Sequence, residues 1–102
     1  MMEESDRLLN EHTAAHVAEL FSVFSDTSRV RIVSAIIGQE LIVNTLADLV
    51  GISESAVSHH MRHLRQMGIV QTRRNGKEVF YIVEDEHIIA LFNQGVNHIK
   101  SG

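Results

Sequence analysis

The stretch Ser53-Glu54-Ser55-Ala56-Val57-Ser58-His59-His60-Met61-Arg62-His63-Leu64-Arg65-Gln66-Met67 decides how the rest of this chain is read. At 3.6 residues per turn it forms a helix with two dissimilar faces. Val57, Met61 and Leu64 fall on one side at spacings of four and three, while Ser55, Ser58, His59 and Arg62 fall on another. The second face consists of short hydrogen-bonding groups ending in a cation. It suits the DNA major groove, where donors and acceptors meet base edges and arginine meets guanine or phosphate. An ordinary amphipathic helix with a solvated outer face has the same pattern, so the flanking segments carry the distinction.

Upstream runs Thr45-Leu46-Ala47-Asp48-Leu49-Val50-Gly51-Ile52-Ser53. Leu46, Leu49 and Val50 make a short apolar stripe. Gly51 permits the positive φ that a tight turn between helices often needs, and Ser53 is a good N-cap for the next helix. Helix, glycine turn and capped helix together make a helix-turn-helix. Downstream, Gly68 is placed to end the helix. Two β-rich runs follow, 69–74 and 77–83, joined by Asn75-Gly76. Asn-Gly between such runs predicts a hairpin with a type I′ turn, in which both central residues have φ above zero. Arg73, Arg74 and Lys77 flank the tip. A basic hairpin directly after a recognition helix reads as a wing that lies along phosphates or dips into the minor groove; a charged edge hairpin is the plainer alternative.

The chain has 102 residues, room for a single domain with a modest core, and 44% of it is apolar. Its net charge of −4 argues superficially against nucleic acid. The distribution argues otherwise. Residues 55–77 hold Arg62, Arg65, Arg73, Arg74 and Lys77 and no acidic residue, and the remaining 79 residues carry −9. A basic surface on an acidic body attracts DNA while limiting indiscriminate binding. With no cysteine there are no disulfides, thiolate metal sites or thiol switches. No apolar run is long enough to span a membrane, and the acidic start Met1-Met2-Glu3-Glu4-Ser5-Asp6 lacks an apolar signal region, so a cytoplasmic location is expected.

The other segments read mainly as helices: 11–25 with Val17, Leu20, Phe21 and Phe24 on a stripe, 27–37 with Val30, Ile32, Val33, Ile36 and Ile37, and 85–99 with Ile88, Ile89, Phe92, Val96 and Ile99. A short strand over 40–43 is expected to pair with the wing. The fold expected is therefore mainly α with a small β-hairpin: a winged helix-turn-helix over residues 1–102, with residues 1–10 prone to fraying. It is expected to be dimeric through its N- and C-terminal helices. Gly95, inside the last helix, fits either close approach of another helix or simple tolerance. No nucleophile–base pair or glycine-rich phosphate loop is present. His59-His60-x-x-His63 lacks the glutamate that a hydrolytic zinc motif places between its histidines, so an enzyme is not expected.

Asp85, His87 and His98 form a second constellation. Eleven residues separate the two histidines, about three turns plus 20°, so both leave one face of the helix with Cα atoms about 16 Å apart along its axis. Metal ligands sit about 2 Å from the ion, so one helix cannot join both to a single ion. Two such helices crossing antiparallel on a twofold axis could, with Asp85 and His87 of one chain facing His98 of the other. Alternatively Asp85 is only an N-cap and the histidines are solvated.

The segment from Gly51 to Val70, together with Phe24-Ser25-Asp26-Thr27-Ser28-Arg29-Val30-Arg31-Ile32 and the wing sequence Val79-Phe80-Tyr81, resembles the ArsR/SmtB family of small dimeric metal-responsive repressors. The resemblance covers about residues 15–100, and it departs at Thr27, where proline is usual. It implies a homodimer that represses a double-stranded DNA operator and takes no small organic substrate. Ser55, Ser58, His59, Arg62, Arg65, Arg73, Arg74 and Lys77 would face the DNA. In the branch that senses zinc, cobalt or nickel on the last helix, the ligand pattern is Asp-x-His, ten residues, then His-x-x-His/Glu. Asp85, His87 and His98 match three positions, and Ser101 stands at the fourth. The family also implies that His98 donates its second ring N–H to backbone near Gly68. The family's thiolate site is absent, since Ile42 and Thr45 occupy its helix positions. His12 and His16, at i and i+4, form a further possible metal pair or a solvated one. The alternative function is a regulator of the same fold without a working metal site, responding to another effector.

Overall fold

The apolar face of the decisive helix is buried as its spacing requires: Val57, Met61 and Leu64 are sealed from solvent. A computed structural model of the chain describes residues 4–102; of the segment expected to fray, residues 1–3 lie outside the described residues. The chain order is α1 (Glu4–Arg7), α2 (Glu11–Val23), α3 (Thr27–Ile36), α4 (Val43–Val50), α5 (Glu54–Gln66), β1 (Gln71–Asn75), β2 (Glu78–Ile82) and α6 (Glu86–Ser101). The short α1 was not foreseen.

The core is one cluster around α5. Ile32, Val33 and Ile36 of α3, Leu46, Ala47 and Val50 of α4, and Ile69, Val70 and Val83 around the hairpin close over the Val57–Met61–Leu64 stripe. Side-chain N-caps fix where α2, α3 and α5 begin. The Asn10 side chain accepts from the Thr13 amide at 2.8 Å, Asp26 from Arg29 at 3.0 Å, and Ser53 from Ala56 at 3.1 Å. Each satisfies an amide that the first helical turn leaves without a carbonyl. Between α4 and α5, Gly51 takes φ +79° with its amide on the Ala47 carbonyl at 2.8 Å; a side chain there would be strained. Two arginines tie the helices from outside the cluster: Arg29 Nε donates to the Val23 carbonyl at 2.9 Å, and Arg31 Nη1 to the Val50 carbonyl at 2.9 Å.

Two expectations about the β region need correction. The strands pair antiparallel with Asn75 opposite Glu78, so the central residues of the turn are Gly76 and Lys77, not Asn75 and Gly76. Gly76 has φ +65°, and among the described residues no non-glycine residue has positive φ. Positive φ at the first central position alone is the requirement of a type II′ turn, not of type I′. Residues 40–43 do not form a strand. Leu41 exchanges two backbone hydrogen bonds with Tyr81 (3.0 and 2.9 Å), and Ile37 bridges Val83, but α4 starts at Val43 and takes the chain away. The helical pull of Val43, Leu46, Ala47 and Val50 toward the core outweighs extension of that ladder.

α2 and α6 are built differently from the rest. Thirteen-residue α2 buries only Val23 and sixteen-residue α6 only Ile88. Their rings meet at Phe24 and Phe92, with centroids 6.3 Å apart, but Val17, Phe21 and Ile99 remain exposed, Ile99 at 79%. Of the apolar stripe read on α2, Leu20 and Phe24 pack partly against the core while Val17 and Phe21 face out. The Cα radius of gyration is 15.9 Å, against about 13 Å for a compact domain of about 100 residues, and the extents are 54 × 31 × 21 Å.

Leu64 holds α5 from the centre of the cluster. Leu64→Ala is expected to lower stability by about 2–5 kcal/mol, the range for removing a large buried aliphatic side chain. Urea unfolding at fixed protein concentration measures it; a loss well below that range contradicts this packing.

Candidate nucleic-acid interface and effector site

With its apolar stripe buried, α5 turns Ser55, Ser58, His59, Arg62 and Arg65 to solvent, and all five are exposed. Ser55 Oγ lies 3.3 Å from the capping hydroxyl of Ser53. Ser58, Arg62 and Arg65 line one groove of about 460 Å³ between α5 and the hairpin, joined there by Gln66 and Tyr81. Ser55 and His59 belong to the same exposed face but not to that groove. Gln66 and Tyr81 were missed in the sequence. Gln66 sits four residues beyond Arg62, a signal that was available; Tyr81 enters from a separate element, which no local spacing shows.

The hairpin's three cations are not equivalent. The Arg73 guanidinium forks onto Glu40, donating from Nε to Oε2 at 2.9 Å and from Nη2 to Oε1, and its Cζ lies over the Phe80 ring, 4.9 Å from the centroid. Glu40 is thereby held below the usual carboxylate range, chiefly by the hydrogen bond from Arg73, and Arg73 is held still more firmly protonated by the same bond. Arg74 and Lys77 are exposed and have no side-chain partner among the described residues. The acid-free window 55–77 thus acquires a carboxylate from 33 residues away.

On α6, Asp85 is an N-cap: its Oδ1 accepts from the amides of His87 at 2.8 Å and Ile88 at 3.1 Å. His87 Nδ1 stands 3.7 Å from the same oxygen, and the His87 side chain is fully exposed. His98 is exposed at the other end of α6. With Phe21, Phe24, Phe92, Val96 and Ile99 it borders an apolar groove of about 790 Å³. It makes no side-chain hydrogen bond among the described residues, to Gly68 or elsewhere. Ser101 Oγ donates to the Asn97 carbonyl at 2.6 Å, turned back onto its own helix. Among the described residues, one chain brings no three His, Asp or Glu side chains into metal-binding proximity, in keeping with the axial separation of His87 and His98. By chemistry the set fits: one carboxylate and two imidazoles are a nitrogen and oxygen donor set suited to zinc, cobalt or nickel. Asp85 can also offer the oxygen not used in capping. His12 and His16 lie ring to ring at 4.6 Å on the exposed side of α2.

His60 and His63 lie part-buried on the flank of α5. His60 Nδ1 is buried without a partner, and desolvation lowers the His60 pKa from the ordinary 6.5, against the attraction of Asp26. Arg29, His59 and His63 add to the lowering. A histidine whose folded pKa is depressed stabilises most above its unfolded value, and that stability is lost as pH falls from about 6.5 toward the folded pKa. Replacing it with an uncharged ring, His60→Phe, is expected to flatten the decline of unfolding free energy between pH 7 and 5.5. Urea titrations at matched pH read the difference; an unchanged slope contradicts the lowering of the His60 pKa by desolvation.

Comparison with known proteins bears on this arrangement. Residues 26–72, from the cap of α3 to the first residues of β1, match the model of the family described as "Bacterial regulatory protein, arsR family". The chain is 42% identical over 87 residues to a "Transcriptional repressor SmtB homolog" of Synechocystis sp., covering 85% of this chain and 66% of that protein. It is 34% identical over 82 residues to the "Cadmium resistance transcriptional regulatory protein CadC" of Listeria innocua, covering 79% and 69%. The chain spans about two thirds of the length of the curated relatives it matches. In three dimensions it superposes on the crystal structure of NolR from Sinorhizobium fredii with a TM-score of 0.82 at 27% identity, over 97% of this chain and 96% of that one. No helix among the described residues is long and apolar enough to cross a membrane. The fold is a winged helix-turn-helix, the matched family is one of regulators rather than enzymes, and this chain belongs to that family, the arsR family of bacterial regulatory proteins.

Proposed function

We propose that residues 1–102 act as one winged-helix unit of a cytoplasmic homodimer that represses transcription by holding a double-stranded DNA operator. The observation that carries this is the outward face of α5, whose rotation is fixed by its buried side. Ser55, Ser58, His59, Arg62 and Arg65 enter the major groove, and Arg74 and Lys77 reach phosphates or the minor groove. Arg73, read as a further DNA contact in the sequence, is already engaged by Glu40. The partner is a second copy, joined through the exposed apolar sides of α2 and α6. The repressor named in Synechocystis supports the regulatory direction.

We further propose that a divalent transition metal, zinc or alternatively cobalt or nickel, is the releasing effector, taken between the two α6 helices by Asp85 and His87 of one chain and His98 of the other. The cadmium-resistance regulator among the relatives supports a metal ligand in general. The ion supplies a tie between the two α6 helices. The protein's own part is to present His87 and His98 exposed at opposite ends of α6; imidazole binds a metal in its unprotonated form, so acid competes with binding. Release requires that the tied dimer fit DNA less well, and the coupling is then reciprocal: operator binding weakens metal binding by the same factor. A second reading, the same regulator with another effector and no working metal site, is favoured by Ser101. Its hydroxyl is bonded to Asn97 where the family pattern has a histidine or glutamate.

Fluorescence anisotropy on a duplex selected from a random pool, with and without zinc, tests the proposal. Wild type is expected to bind and to release on zinc addition. His98→Ala is expected to bind DNA equally but ignore zinc. Zinc-indifferent wild type rejects the metal reading alone, and failure to bind duplex at low salt rejects the DNA reading. Arg62→Ala is expected to cost about 1–3 kcal/mol per site. Phe21→Glu places a charge on the exposed α2 stripe, and sedimentation equilibrium is expected to show it shifted from dimer to monomer. An unshifted mass contradicts this interface.

A further inference from the structure

Arg73 of the wing is closed in a pair with Glu40 of the α3–α4 connection, beside two cations, Arg74 and Lys77, that have no side-chain partner among the described residues. The pair is built by the fold. Leu41 and Tyr81 exchange backbone hydrogen bonds, which pins Glu40 one residue away beside β2. The β1–β2 register sets Arg73 opposite Phe80, whose ring lies under the guanidinium. The fork then meets both carboxylate oxygens. Exposed ion pairs in general are loosely held, but a bidentate and stacked arginine is the geometry in which they persist. The side chains are 52% and 37% exposed, so the pair stands at the surface that the wing presents.

We propose that Glu40 is a positioning residue that withholds Arg73 from the DNA backbone, holding the hairpin against the α3–α4 connection and leaving Arg74 and Lys77 as the wing's phosphate contacts. The inference rests on the DNA-binding reading. Its consequence is electrostatic. A phosphate contact by a cation releases condensed counterions and adds about 0.9 to the dependence of log K on log salt, whereas a cation already neutralised by its own carboxylate adds nothing. Glu40 thus sets how much of the wing's charge is spent on sequence-independent affinity. Its removal buys tighter but less selective binding, because only the backbone term grows.

The test is the salt dependence of duplex binding by wild type, Glu40→Gln, Arg73→Ala and the double variant, between about 50 and 200 mM salt. Arg73→Ala is expected to keep the wild-type slope. Glu40→Gln is expected to steepen it by about 1.8 for a dimer, about tenfold more affinity lost across that range, and the double variant to return it to the wild-type value. A flattened slope in Arg73→Ala, or an unchanged one in Glu40→Gln, overturns the proposal. The Glu40 carboxyl titration, followed by NMR without DNA, is an independent arm. It is expected below the usual carboxylate range in wild type and Arg74→Ala, and back within it in Arg73→Ala. No such return means the pair does not exist in solution, and the proposal fails even if DNA binds. Wild type that ignores duplex defeats the DNA-binding reading, and with it any withheld contact, while the titration still reports on the pair.

Discussion

Burial of Val57, Met61 and Leu64 against α3 and α4 is the constraint from which the rest of the molecule follows. A helix has one rotational freedom about its axis, and three sealed side chains at spacings of four and three remove it. Once they are inside, Ser55, Ser58, His59, Arg62 and Arg65 have no choice but the outside. The N-cap at Ser53 and the glycine turn at Gly51 then fix where along the axis that face begins. The groove shared with Tyr81 exists because β2 is tied to the chain segment after α3 by the Leu41 bridge, which brings the hairpin alongside the end of α5.

The opposite end of the molecule shows what one chain lacks. A helix of thirteen residues and one of sixteen, each burying a single residue, have little tertiary packing to hold them, and helical stability in proteins comes mostly from packing. Exposed Val17, Phe21 and Ile99 fall on the same two elements. The proposed dimer covers them and places two copies of α5 in fixed relation. The same contact would carry the proposed effector's influence: His98 borders the apolar groove between α2 and α6, so a ligand held there would act on the surface that, in the proposed dimer, sets the spacing of the two α5 helices.

Much of this was legible in the residues because it depends on local period. The helix-turn-helix, its glycine, its serine cap and the polarity of α5 all follow from spacings within a few turns, and the hairpin follows from two β-rich runs joined at Asn75-Gly76. Four features were not legible. The turn centre moved by one residue because register is set by pairing across the strands, and Asn75 opposite Glu78 leaves Gly76 in the position that needs positive φ. Residues 40–43 share the composition of a strand, yet the apolar stripe beginning at Val43 is worth more as a helix packed on the core. The Glu40–Arg73 pair joins positions 33 apart, so counting charges within the window 55–77 assigned Arg73 to the wing's free cations when its partner lay outside. Tyr81 was missed for the same reason: the groove it lines is made by two elements, and local spacing describes one at a time. Asp85, His87 and His98 were legible as residue types at a spacing. Their meeting would need a second chain.

Hydroxyl-radical footprinting on a duplex that the wild-type protein selects from a random pool tests the central claim most directly, because it asks at once whether α5 reads DNA and whether two copies do so together. The account predicts two protected patches on one side of the duplex, their centres separated by about one helical turn, 34–36 Å or about 10 base pairs. A single protected patch, or no protection in dilute salt, contradicts it.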